Sequence, residues 1–156
     1  MNTLSDEIIQ FWKTLEDYKL RYIVAGDFAC VFHGARYHTG ILELWIDDTS
    51  DNRERLADAF NGMFEEDYSS FKTMEFVCGW NSFRFISGFD IEIVTGIKGF
   101  EKEHFNECLG AAPVAHIFGV PVRFLDLDHL IASKQAAGSR KDLIQIDEIK
   151  RVNETK

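Results

Sequence analysis

The sequence predicts one α/β (α+β) domain over residues 1–156, and three observations carry that expectation. Stretches with apolar residues at helical spacing alternate with apolar runs of strand length. Glycines stand where these segments end, at Gly26, Gly34, Gly62, Gly79 and Gly88. The chain is 46% hydrophobic with 14 Phe and only 2 Pro, which excludes a disordered or collagen-like polymer. A chain of roughly 150 residues buries about 68–70% of its unfolded surface, enough for one core. No repeat, low-complexity tract or linker longer than a turn marks a domain boundary.

Leu4, Ile8, Phe11, Trp12 and Leu15 form one apolar stripe, predicting an opening helix over residues 4 to 19. RYIVAG is a short buried strand ending at Gly26, and Phe28, Ala29, Val31 and Phe32 predict a helix that stops near Gly34. A second strand runs from Ile41 to Ile46. An amphipathic helix follows, its start marked by Asp51 with Glu54 three residues on and its end near Gly62. After the polar EEDYSS stretch, segments 74 to 78, 82 to 87 and 89 to 95 predict a meander with turns at Gly79 and Gly88. Residues 100 to 109 predict a short helix, and VAHIFGVPVRFLD a hairpin turning at Gly119-Val120-Pro121. Two helices close the chain, near 127 to 137 and from 139 to about 152. The phenylalanines at 60, 64, 71, 76, 83, 85, 89, 100 and 105 are expected in the core, with some near EEDYSSF left for a partner.

The 17 Lys+Arg against 26 Asp+Glu give a formal charge of -9. Duplex DNA and anionic membranes are thereby disfavoured as partners, since both call for a dense basic surface. A small anionic ligand would need local positive charge. Cys30, Cys78 and Cys108 are odd in number and contain no CxxC pair, which fits a reducing cytoplasm better than a disulfide framework or zinc site. Cys30 is expected on a buried helix face, without a reactive thiol. Nothing reaches the ~18 apolar residues of a membrane span, and acids stand near the N-terminus where a signal peptide is basic. The expectation is a cytoplasmic protein.

The most informative stretch is YIVAGDFACVFHGARYHTGILELWID: strand, glycine turn, helix, loop, strand. Backbone N–H groups at such a turn into a helix can hold phosphate. Positions 41 and 43 share one face of the second strand, and Asp90 and Glu92 share one face of FDIEIVTG, because strand side chains alternate. Alternation on a half-exposed strand accounts for those acids without any function.

In this order of features, from Tyr22 to Glu148, the chain resembles the nucleotidyltransferase superfamily, in particular its minimal bacterial members and those acting as toxins in abortive infection. Members carry a Gly-Gly or Gly-Ser turn, a short spacer, a Dx[DE] pair and a third carboxylate on a later strand. His33-Gly34, Thr39-Gly40, the LWID ending, Val94-Thr95-Gly96, Phe100-Glu101 and LIASKQAAGSRKDL also fall where members have similar residues. The resemblance implies the nucleotidyltransferase fold, a short mixed β-sheet packed on one face by helices and closed by two C-terminal helices. It also implies Mg2+ and a nucleoside triphosphate, with carboxylates holding ions that neutralise charge at the α-phosphate.

Matched residue by residue, the first aspartate position is Ile41, which cannot ligate a metal, and the second is Glu43. The third matches Glu92, with Asp90 the alternative. Gly26 keeps the turn, while Asp27 stands where members have a small residue beside the triphosphate. A second unit negative charge about 4 Å from phosphate costs about 4 kcal/mol at an effective dielectric near 20. Arg36 lies one residue before the usual arginine position, which Tyr37 occupies. Lys134, Gly138, Lys141 and Asp142 match the family's K-x-x-x-G-x-x-KD pattern, making Lys134 and Lys141 the candidates for local positive charge. His33 is expected to cap or pack and His38 to lie on a surface loop. Two functions follow: a Mg-dependent transferase passing a nucleoside monophosphate to a hydroxyl, its site degenerate at Ile41, or a non-catalytic binding or regulatory module. The latter would act as a homodimer, on a protein partner or within a toxin-antitoxin pair.

Overall fold

A computed structural model describes residues 4–36, 40–76, 82–84 and 90–154. The chain runs α1 (Leu4–Asp17), β1 (Tyr22–Ala25), α2 (Gly26–Phe32), β2 (Ile41–Ile46), α3 (Ser50–Met63), β3 (Ser82–Arg84), β4 (Asp90–Val94), α4 (Phe105–Ala111), β5 (Val114–Ile117), β6 (Val120–Arg123), α5 (Leu127–Ala137) and α6 (Arg140–Glu154). It is therefore a mixed α+β protein. The main sheet has the order β1-β2-β4-β3, in which β1 and β2 are antiparallel, β2 and β4 parallel, and β4 and β3 antiparallel. The β2-to-β4 connection passes through α3, as a parallel pair requires a crossover.

Helices cover both faces of the sheet, not the one face expected. Alternate residues of the strands are apolar on each side. Tyr22, Val24, Leu44, Ile46, Ile91 and Ile93 pack with Phe11 and Leu15 of α1 and Leu56 and Phe60 of α3. Ile23, Ala25, Trp45 and Val94 pack with Cys30 of α2, Phe105 of α4, Leu130 of α5 and Ile149 of α6. A strand that is apolar on both sides buries its surface only between two layers.

Several local expectations shift for physical reasons. Thr49, not Asp51, caps α3: its side chain accepts from the Asn52 N–H, and buried Asn52 ties the helix start to the Arg21 backbone through both amide atoms. Helix α6 opens on a capping box, with Ser139 N–H donating to Asp142 and Asp142 N–H donating to Ser139. The hairpin turns at Phe118-Gly119, both at positive φ, which leaves Val120 and Pro121 inside β6. Residues 102–104 form a 3-10 turn ahead of α4. Of the expected meander, residues 74–76 are not strand, β3 pairs with β4, and residues 77–81 and 85–89 lie outside the described residues. Phe60, Phe71, Phe76 and Phe105 are buried, Phe64 and Phe100 pack at the core's edge, and the 69–72 stretch expected to offer a partner surface folds Phe71 inward as a 3-10 turn. The Phe83, Phe85 and Phe89 side chains lie outside the described residues, as does His38.

Beyond the hairpin the chain docks along β1, with Leu125 N–H donating to the Val24 carbonyl at 2.9 Å, and then enters α5. The His33 ring holds the Leu125 carbonyl at 2.8 Å, so it fastens the end of α2 to this segment as a structural residue. No helix among the described residues is long and apolar enough to cross a membrane.

Candidate functional site

Beta1 ends and α2 begins at Gly26, which lies at φ +61, a left-handed conformation that suits glycine. The neighbouring strand β2 puts Glu43 opposite Ala25. The Glu43 carboxylate crosses directly over the glycine: a Cβ at position 26 would sit 2.6 Å from Glu43 Oε2 and 3.1 Å from its Cβ. Together these residues form part of a cavity of about 520 Å³, whose other walls come from the Gly96–Glu101 loop after β4 and from Leu130, Ser133 and Lys134 of α5. Gly26→Ala is expected to cost about 1–2 kcal/mol from the left-handed backbone alone and to push Glu43 out of position. Urea unfolding reads the first effect, and loss of the upward-shifted Glu43 titration by NMR reads the second.

The parallel pairing of β2 and β4 sets Ile41 beside Asp90 and Glu43 beside Glu92. Residues paired in this way point to the same face, and strands lie about 4.8 Å apart, so two carboxylates stand side by side. Their face is the one that carries Trp45 and Val94, under α2, α5 and α6. Glu92 is buried, at 8% exposure. Burial and then the charge of Glu92 push the Glu43 carboxyl up to about 7, against the pull of Lys134 and Lys141. The four positions thus form two rows on one sheet face, with Glu43 lining the cavity and Glu92 behind it.

The lysines are engaged elsewhere. Asp27, 4% exposed, receives Lys141 Nζ at 3.2 Å and Gln145 Nε2 at 3.0 Å, and Lys134 Nζ stands 3.6 Å away. Lys134 also pairs with Asp142 at 3.1 Å. Rather than facing incoming phosphate as an isolated negative charge, Asp27 is the common counterion of two lysines and locks α2 to α5 and α6. Lys134 lines the cavity, while Asp27 and Lys141 do not. Cys30 lies beneath this network, fully buried, and burial pushes its thiol up to about 11, consistent with an inert role.

Lys98, Ser133 and Glu101 line the cavity; Ser133 and Glu101 fall within stretches that carry the resemblance, whereas Lys98 had no signal of its own in the sequence. Only the flanking Gly96 and Gly99 hinted at a turn tight enough to make a wall. Among the described residues, no group of three or more His, Cys, Asp or Glu is arranged to hold a metal ion. Glu43 and Glu92, with Asp90 two residues before Glu92 on the same face, are the acids that the paired strands bring together here. No protein-family model matches the chain, and no curated protein or solved structure matches it.

Proposed function

We propose that the chain is a nucleotidyltransferase-like protein whose cavity takes a magnesium-bound nucleoside triphosphate and transfers its nucleoside monophosphate to a hydroxyl acceptor. The observation that carries this reading is the Glu43 and Glu92 pair, set in register on parallel strands with Glu43 over the Gly26 turn. The donor set fits one magnesium ion. That ion takes oxygen ligands, keeps several waters and commonly binds through one or two carboxylates plus substrate phosphates. It does not fit two such ions, because Ile41 offers no oxygen, and Asp90 beside it is the chain's means of supplying a further ligand. When bound, the ion neutralises charge on the phosphates. The chain's own residues orient it: Gly26 leaves room for the Glu43 carboxylate, and Glu92 adds a second carboxyl from the next strand. The mixed sheet closed by two C-terminal helices accords with the nucleotidyltransferase fold.

A second reading, a non-catalytic binding or regulatory module on the same fold, is favoured by one specific feature. Asp27 occupies both Lys134 and Lys141, the cations expected to serve the nucleotide. Calorimetry with magnesium and each nucleoside triphosphate tests the first reading. Binding that is lost in Glu43→Ala and Glu92→Ala supports it, and absence of heat at millimolar nucleotide refutes it. Pyrophosphate release then separates the two: binding without release selects the non-catalytic module. Ile41→Asp is expected to tighten magnesium binding in either case.

A further inference from the structure

Charge within the cavity is unevenly engaged. Glu43, Lys98, Glu101, Lys134 and Asp142 are its charged lining groups. Lys134 and Asp142 neutralise each other at 3.1 Å. Glu101 is an exposed acid on the loop wall. Lys98 is exposed and makes no ion pair among the described residues.

The loop holds Lys98 in a defined place. Ile97 N–H donates to the Phe100 carbonyl at 2.8 Å and Phe100 N–H to the Ile97 carbonyl at 2.9 Å, closing a tight turn with Lys98 and Gly99 at its tip. Gly99 has φ +84, as the third residue of a type II turn requires. A Cβ on Gly99 would lie 3.4 Å from the Ala136 side chain, so the turn rests against α5. The ammonium therefore sits on a braced support at the cavity wall while its long stem stays free to adjust.

We propose that Lys98 is the residue that contacts the phosphate chain of a nucleoside triphosphate in this cavity, in place of Lys134 and Lys141. The inference rests on the nucleotide reading above and assigns its anion contact to the loop after β4. Charge-assisted contacts of this kind are stronger than neutral ones, and Lys98 gives up no internal partner to make one.

Calorimetry on the full chain with MgATP, MgGTP, MgCTP and MgUTP tests it. Lys98→Ala is expected to weaken binding about tenfold or more, and Lys98→Arg to retain it within about threefold. Lys102→Ala removes the same unit of charge from an exposed position off the cavity and is expected to leave binding unchanged. Because Lys98 is exposed, its variants should melt at the wild-type temperature, which separates lost contact from lost fold. Wild-type affinity in Lys98→Ala would overturn the assignment and leave the nucleotide reading standing. Equal weakening in Lys102→Ala would also overturn it, since net charge alone would then account for the effect. Absence of binding by the unaltered chain to all four nucleotides would overturn both.

Discussion

Replacing Lys134 with Met lowers the free energy of unfolding by about 3–5 kcal/mol, the cost of leaving buried charge without its partner. Met keeps the length and packing of the side chain, so the loss is electrostatic. The Lys134 side chain is 10% exposed and stands between Asp142 at 3.1 Å and Asp27 at 3.6 Å, themselves 8% and 4% exposed. Burial opposes the Lys134 charge, yet the neighbouring Cys30 sulfur and the carboxylates of Asp142 and Asp27 hold its pKa above the ordinary lysine range. Without Lys134, Asp27 retains Lys141 at 3.2 Å, whereas Asp142 keeps only hydrogen bonds from Ser139. Lys141→Met is expected to cost about 1 kcal/mol or less, because the Lys141 side chain is 35% exposed and solvent screens it. Urea unfolding at pH 7 measures both, and equal effects at the two positions would contradict the assignment.

Acid gives a second readout of the same network. Burial raises the Asp142 carboxyl, but the Ser139 hydroxyl and the Lys134 ammonium outweigh it and hold the pKa low. A depressed folded pKa contributes stability that is present above the unfolded value, near 3.9, and is lost as pH falls through the folded value. In Lys134→Met that acid-dependent loss should shrink.

Glu43→Gln is expected to raise stability by about 2–3 kcal/mol above pH 7 and to change it little below pH 4.5. The Glu43 carboxyl is raised from 4.5 to about 7 in the folded protein by burial and by Glu92. Between those values the folded chain binds more protons than the unfolded chain, so wild-type stability falls as pH rises from about 4.5 through 7. Gln keeps the shape and removes the titration, which flattens this part of the curve. Unfolding at pH 5 and at pH 8 measures the difference; a wild-type stability equal at the two would refute the upward shift of the Glu43 carboxyl. If magnesium binds this pair, adding it at pH 8 should stabilise the wild type and leave Glu43→Gln unchanged.

Helix periodicity located α1, α3 and α5 closely, and β2 and the course of β1 followed from short apolar runs between turn signals. These signals are local. The pairing of Asp90 and Glu92 with positions 41 and 43 was legible only as shared strand faces within each segment, and the register joined them because β2 and β4 became parallel neighbours. The cap at Thr49 was missed because Asp51 and Glu54 satisfy the capping-box spacing equally well, and the choice between them lies in Asn52's bonds to distant Arg21. The hairpin turn moved because Gly119 with Phe118 can supply two positive φ values, which Val120 and Pro121 cannot.

The sequence by itself determined the alternation of helices and strands, the acidic balance, the Gly26 turn and the carboxylate positions, since these depend on spacing along the chain. Only the tertiary structure decided how those charges are used. Asp27, an added anion when read in order, became the counterion of Lys134 and Lys141 because α5 and α6 fold back over α2 from more than a hundred residues away. The same packing left Lys98 as the exposed cation on the cavity wall. Residue type and spacing set which groups can carry charge, but the partner of a charge is fixed by approach in space, and in a low-dielectric interior that approach decides its ionisation, its pKa and its cost.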